Sequence, residues 1–396
     1  MHGPQQPGFA FDRIIHPVGR GAFFDLHYEK SPLVLHRNAP GYYDEILRLE
    51  DVWSHIEWNC PAPGDLKLIK LGAGDGSDAW AGGGRRCDPS AVARMYGDGW
   101  TVALNRMHER MPALAAMCAA AEAVFSAAFQ ANLYLTPPGS QGFMPQWDTH
   151  DVFVLQIHGS KDWTLYDTKV ELPLAGQSFD DEKPPTGPAS ASFTLRAGDM
   201  LYCPRGLMNS AQSGPEASLH VTFGLIGRTW AELVLEAVSK VFLEDASFRR
   251  NLPAGFAGPG FNDAAAEAGF SEMMRSLAGK ADFRAAAAAM RDQFAEGQVP
   301  RRPGQAGQVS RAASVSPSAR AAARPDTVWR AEAGDGEVVL SSASGVSAFP
   351  LFAESALRAA LEPEPFTVGD LPGPMDADGK AALVRRLILD GLVVAL

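Results

Sequence analysis

The chain has 396 residues, of which 46% are hydrophobic and 20% charged, with a formal net charge of −11. This length exceeds the usual single domain, so two or three domains with a sizeable core are expected, and the composition is far from that of a disordered chain. The acidic balance argues against the broad basic face that nucleic-acid binding requires and suits a basic protein partner.

Along the chain, residues 12–60 mix short apolar runs with aromatic and charged residues. Glu45–Leu49 and the group Val52, Trp53, His55 and Ile56 read as short helices. Residues 73–86 are rich in Gly and Asp and read as a loop. From Met111 to Phe129, the density of Ala, Leu, Met and Phe at helical spacing predicts a helix. The texture then changes, between Ala131 and Leu225, to short β-rich runs: ANLYLT, DVFVLQIHG, DWTLYD, ASFTLRAGDMLYCP and SLHVTFGL. Gly, Pro and Asp clusters separate them, the pattern of an all-β barrel or sandwich. Helical tracts follow at about 229–243 and 262–294. Residues 301–325, full of Arg, Ser, Pro and Gly, read as a linker. The last segment, 326–396, runs from strand-like VWRA and EVVLSS through two helical stretches to a short apolar strand, which suggests a winged-helix-like domain.

The expected domains are therefore 1–228 for the barrel with its N-terminal helices, 229–300 for a helical region, 301–325 for a linker and 326–396 for the winged-helix-like part. In that last part, the helix near Asp378–Asp390 carries as basic residues only Lys380, Arg385 and Arg386, too few for a DNA recognition face, so a protein contact is preferred. Cys60, Cys87, Cys118 and Cys203 form no Cys-x-x-Cys pair and no zinc-spaced cluster with histidine, and they read as reduced thiols of a cytoplasmic protein. The sequence has no apolar run of bilayer length and no leader-like pattern at Met1–Phe11, so no membrane is expected.

Residues 132–167, NLYLTPPGSQGFMPQWDTHDVFVLQIHGSKDWTLYD, resemble the JmjC-domain, cupin-like ribosomal-oxygenase branch of the Fe(II)/2-oxoglutarate oxygenases. So do residues 198–212, GDMLYCPRGLMNSAQ, and the following SLHVTFGL. The resemblance implies an α+β protein with a double-stranded β-helix barrel core. It also implies a helical dimerisation region, hence a homodimer, and a C-terminal winged helix. In that family two imidazoles and one carboxylate hold Fe(II) and leave positions open for 2-oxoglutarate and O2. The HxD pair falls here on Gln146-Trp147-Asp148, and the distal histidine, after Pro-Arg-Gly, falls on Asn209; only Asp148 matches.

Period-two alternation places Gln146, Asp148 and His150 on one side of a strand. A carboxamide oxygen is a far poorer donor to Fe(II) than imidazole, so iron is expected to be weak or absent. His150 and His220 are candidate substitute ligands, although family members with the full triad also carry histidine at these places. An all-oxygen set of Asp148, Gln146 and Asn209 could instead hold Mg2+, Mn2+ or Ca2+. The resemblance further implies that 2-oxoglutarate or a similar diacid is anchored by Lys161, a cationic partner for a carboxylate, with Asn132 and Thr222 adding hydrogen bonds. Arg205 reads as a turn residue, and Tyr134, Trp147 and Trp163 as packing around the barrel mouth. A nucleophile elbow and a P-loop are both absent from the sequence.

Two functions follow. The first is a catalytically impaired JmjC-fold protein, a pseudo-oxygenase, that binds a peptide or protein. The second is an active 2-oxoglutarate-dependent dioxygenase that hydroxylates a protein or peptide side chain through a nonstandard metal shell.

Overall fold

A computed structural model describes residues 10–59, 61–62, 64–76, 87–167, 170–177, 187–298, 302–325 and 327–396. Cys60 and most of the glycine-rich stretch at 73–86 lie outside the described residues. The chain divides into two compact units, Met1–Gly227 and Arg228–Leu396.

In the first unit, short helices at Phe11–Ile15, Arg20–Leu26 and Leu49–Asn59 bury Phe11, Ile14, Ile15, Phe23, Val52 and Ile56. They surround β1 (Leu33–Leu35) in sequence and are followed by β2 (Leu66–Lys70), β3 (Gly74–Asp75) and β4 (Thr101–Leu104). The alanine-rich helix spans Pro112–Phe125, shorter than the sequence pattern predicts. Ser126 takes a left-handed conformation with φ 50°, and β5 (Ala128–Thr136) begins two residues later. Sheet burial of alternate residues there outweighs helix propensity, which is a weak prior. The barrel continues with β6 (Asp151–His158), β7 (Ser160–Tyr166), β8 (Ala189–Arg196), β9 (Met200–Cys203), β10 (Asn209–Ser213) and β11 (Ser218–Ile226).

Every pairing among these strands is antiparallel. One sheet runs β1-β9-β6-β11-β5-β4-β2-β3 and the other β10-β7-β8. Alternation along β5 and β11 sorts the side chains. Leu133, Leu135, Val221 and Phe223 join the helices in the main core, while Val152, Val154, Trp163, Leu195, Leu201 and Cys203, drawn from both sheets, form a smaller cluster between them. The reversal from β6 to β7 turns on Gly159, whose φ is 66° and where a Cβ would stand 1.9 Å from the Ala217 carbonyl oxygen. Only glycine fits there.

The second unit opens with a helix at Trp230–Glu244, started by a reciprocal capping box of Thr229 and Glu232. Helices at Asp263–Lys280 and Phe283–Glu296 follow. Residues 301–325, read as a linker, contain instead a helix at Gln305–Ala312 and a strand, β12 (Arg320–Ala323). Ala312, Val315 and Ala321 are buried in the core of this unit, and Arg324 ties the segment down by donating to the Gly391 and Pro303 carbonyls and to Gln305 Oε1. Small residues and long-range bonds do here what large apolar residues do elsewhere, which is why local composition misreads the segment. The unit is completed by β13 (Trp329–Ala333), β14 (Glu337–Ser342), β15 (Gly345–Pro350), a helix at Glu354–Ala360, β16 (Phe366–Thr367), a helix at Ala377–Leu389 and β17 (Val393–Ala395). Its strands form two antiparallel sheets, β16-β12-β17 and β13-β14-β15. No helix among the described residues is long and apolar enough to cross a membrane.

Candidate ligand pocket between the two sheets

A cavity of about 100 Å³ opens between the sheets. Its lining includes all eight residues singled out in the sequence: Asn132, Gln146, Asp148, His150, Lys161, Asn209, His220 and Thr222. The strands explain the convergence. Asn132 pairs with Thr222 and Tyr134 with His220 across β5 and β11, and Lys161 and Trp163 project from the same face of β7.

Gln146 and Asn209 sit opposite each other in an isolated antiparallel bridge. The Gln146 N–H donates to the Asn209 carbonyl at 2.9 Å and the Asn209 N–H to the Gln146 carbonyl at 2.8 Å. A third backbone bond, from Gly206 N–H to the Asp148 carbonyl at 2.9 Å, fixes the Pro-Arg-Gly turn against the same segment. Residues 146–150 do not, however, form the continuous strand predicted from their alternation: only Gln146 is paired, and the chain bends at Thr149 and His150. The inward placement comes from the bridge and the bend together.

The lining separates into two ends. At one, Lys161 is 6% exposed, and its Nζ donates to Thr136 Oγ1 at 3.3 Å and lies 3.5 Å from His220 Nδ1. Burial lowers the Lys161 pKa to about 7. Burial, and then the neighbouring Lys161, hold His220 well below the usual imidazole range. The His220 ring stacks on Tyr134 at 5.0 Å and meets the edge of Trp163 at 5.9 Å. Trp163 Nε1 is buried and has no hydrogen-bond partner.

At the other end, burial raises the Asp148 pKa while His150 opposes the rise. The His150 ring lies over Gly224, where a Cβ would meet its Cδ2 and Nε2 at 2.7 Å. Asn209 Nδ2 donates to the Leu207 carbonyl at 3.1 Å and points toward Cys203 Sγ at 3.8 Å, which leaves Oδ1 for the cavity. Asn132 is partly committed, since its Oδ1 accepts from the Arg106 N–H at 2.9 Å. Its amide nitrogen, with no hydrogen bond of its own among the described residues, remains to serve a ligand.

For a metal, these residues offer one carboxylate and two carboxamides. Among the described residues no group of three or more His, Cys, Asp or Glu side chains is placed to hold an ion. The His150 ring lies over Gly224 and bears electrostatically on Asp148, while His220 stacks on Tyr134 beside Lys161 at the other end. The donors present do not fit the three-ligand Fe(II) set.

Arg205, read as a turn residue, does more than turn the chain. Its guanidinium pairs with Asp151 at 2.9 Å and with Glu29 at 2.5 Å, and Tyr202 OH donates to Asp151 Oδ1 at 2.6 Å. The Arg205 and Asp151 side chains are 12% and 2% exposed. The sequence offered no signal for this pair, whose partners come together only through the fold. Arg205→Met leaves Asp151 buried without a counter-charge and is expected to destabilise the first unit by about 3–5 kcal/mol. A denaturant midpoint unchanged from wild type would refute that assignment.

Comparison with known proteins places this geometry. Residues 106–233 match the JmjC domain family. The chain is 32% identical over 259 residues to the bifunctional lysine-specific demethylase and histidyl-hydroxylase NO66 of Branchiostoma floridae, covering 62% of this chain and 38% of that protein. It is 30% identical over 265 residues to ribosomal oxygenase 1 of Danio rerio, covering 62% and 46%. The chain thus spans less than half the length of these two relatives. The fold also matches the ribosomal oxygenase YcfD of Escherichia coli, with a TM-score of 0.57, 16% identity and coverage of 96% and 98% of the two chains. YcfD has also been solved with cobalt and 2-oxoglutarate, a structure matched at a TM-score of 0.55 and 14% identity. The strand motifs, the JmjC match at residues 106–233 and these relatives together mark a JmjC domain similar to those of the ribosomal-oxygenase branch of the 2-oxoglutarate oxygenase superfamily.

Proposed function

We propose that this chain is a JmjC-fold pseudo-oxygenase of the cytoplasm: it binds Fe(II) weakly or not at all, and its barrel and helical region bind a peptide or protein. The observation that carries the reading is the bridged pair of carboxamides, Gln146 and Asn209, at the two positions where the family has histidine. The name of the NO66 relative specifies lysine and histidyl groups, which supports a peptide or protein ligand here, and the net charge of −11 favours a basic segment as partner. Metal analysis after reconstitution with Fe(II), with a succinate-formation assay on 2-oxoglutarate, tests the proposal; stoichiometric iron with turnover would refute it. That result would instead support the second reading, an active hydroxylase of a protein side chain, which the retained Lys161 favours.

The same proposal assigns the helical region of the second unit to a homodimer contact. Trp230, Leu235 and Leu243 are 76%, 66% and 73% exposed, and Phe256, Phe270 and Phe283 also face solvent. Leu235 and Leu243, eight residues apart, share one helix face. Exposed large apolar residues along these helices support a contact site here. The protein is expected to sediment at twice its chain mass, and Leu235→Glu with Leu243→Glu to halve that mass. A wild-type monomer would sink the dimer.

The C-terminal part is assigned a winged-helix-like protein contact. The basic residues of the helix at Ala377–Leu389 are engaged within their own unit, which supports that choice over nucleic acid. Lys380 Nζ donates to the Gly369 carbonyl, Arg385 to the Val315 carbonyl, and Arg386 pairs with Asp390.

A further inference from the structure

The pocket between the sheets holds two opposite charges that do not neutralise each other. Lys161 and Asp148 line one cavity, yet no ion pair joins them, and Lys161 Nζ instead contacts Thr136 Oγ1 at 3.3 Å and lies 3.5 Å from His220 Nδ1. Asp148 has His150 as a neighbour, but Lys161 is a buried ammonium with no carboxylate against it among the described residues, which is costly unless a ligand supplies one.

The uncharged groups follow the same division. At the Lys161 end the buried Trp163 Nε1 is a donor without a partner, and it stands two residues from Lys161 on the inward face of β7. Thr136 Oγ1 is already in contact with the lysine. This end is built for an anion, with an ammonium, an indole N–H and a hydroxyl available. At the Asp148 end Asn209 has turned its amide nitrogen toward Leu207 and Cys203 and keeps its oxygen for the cavity. Gln146 stands opposite on the bridge with a second carboxamide. A carboxylate flanked by carboxamide oxygens accepts hydrogen bonds, which suits a cation carrying several N–H donors.

We propose that the pocket takes a small zwitterion, its carboxylate on Lys161 and Trp163 and its protonated amine on Asp148 with the oxygens of Asn209 and Gln146. The ligand's ammonium stands where a metal ion would otherwise face Asp148. The inference rests on the preceding reading that no iron occupies this site. The ligand class is a short amino acid whose two charges are separated by a few methylenes, and the cavity of about 100 Å³ limits it to a compact chain.

The test compares ligands of equal length on metal-free protein kept in chelator. β-Alanine, γ-aminobutyrate and δ-aminovalerate are titrated against succinate, glutarate and adipate, and against n-butylamine, by calorimetry. In a dicarboxylate the amine is replaced by a second carboxylate facing Asp148, and like charges brought together cost affinity. The best zwitterion is therefore expected to bind at least about tenfold more tightly than its dicarboxylate counterpart and than the amine. Asp148→Asn should reverse the order and Lys161→Met should abolish binding of all the acids, with the unfolding midpoint of each variant confirming a folded chain. A dicarboxylate that binds as tightly as its zwitterion overturns the proposal. So does the failure of every member to bind, or an order unchanged in Asp148→Asn. Stoichiometric iron in the reconstituted protein would instead overturn the reading beneath it, and that measurement is independent of these titrations.

Discussion

Replacing Gln146 and Asn209 together by histidine is expected to raise Fe(II) affinity by more than roughly a hundredfold, since loss of mere outer-shell support around a metal site already changes affinity by 10- to 100-fold. The main chain supports this expectation. The bridge between residues 146 and 209 is made by backbone groups at 2.8 and 2.9 Å, so it does not depend on either side chain. Directly opposed residues of such a hydrogen-bonded pair have Cα atoms about 5.5 Å apart. Two imidazoles there would stand beside Asp148 and supply the nitrogen donors that iron prefers. Each single substitution should give much less than the pair, because two-ligand binding gains little from the chelate geometry. Anaerobic iron titration of wild type, both single variants and the double variant checks this. A double variant with wild-type affinity would mean that the surrounding shell no longer permits an ion.

The second large effect concerns Lys161. Its pKa of about 7 means that the charged form is abundant only at and below neutrality. Affinity for a carboxylate probe should be level below pH 7 and fall about tenfold per unit above it. His220, the titratable neighbour in contact with the lysine, is held neutral through this range and does not confuse the profile. Lys161→Met should lose the probe and its pH dependence together.

Stability should move in the opposite sense. The folded-state pKa lies below the ordinary lysine value of 10.5, so between pH 7 and 10.5 the unfolded chain holds more protons. Stability of the unliganded protein should therefore rise with pH across that window, with the penalty of the buried charge fully present below it. Lys161→Met removes the penalty, and the variant is expected to be more stable than wild type at pH 7 while binding nothing. Such a trade of stability for function is usual at binding sites. A profile without a break near neutrality, or a destabilised methionine variant, would refute the assignment of Lys161 as an anion anchor.

The barrel strands were legible because each is a short β-rich run bounded by Gly, Pro or Asp, a local signal. Site residues on β5, β7 and β11 were readable for the same reason, since alternation within a strand decides which side chains turn inward. What escaped was non-local. The bridge joining Gln146 to Asn209 spans 63 positions, from 146 to 209, and no pattern near either residue announces it. The separation of the pocket into a cationic and an anionic end likewise depends on which sheet faces which. The segment at 302–325 was misread because its helix and strand bury alanines and a valine, residues whose contribution shows only once their neighbours are known.

The junction around Arg205 also bears on how the first unit comes together in time. The Glu29 N–H donates to the Tyr202 hydroxyl across 173 positions, and the Glu29 carboxylate reaches Arg205. On a ribosome these helices emerge long before β9 exists. Phe23, fully buried against Phe153 and Tyr202 in the finished molecule, must wait uncovered for most of the unit's synthesis. Contacts of such high separation make folding slow and leave apolar surface exposed to association in the interval. Chains truncated before Met200 should therefore be captured by chaperones or aggregate, and chains released after Ile226 should not.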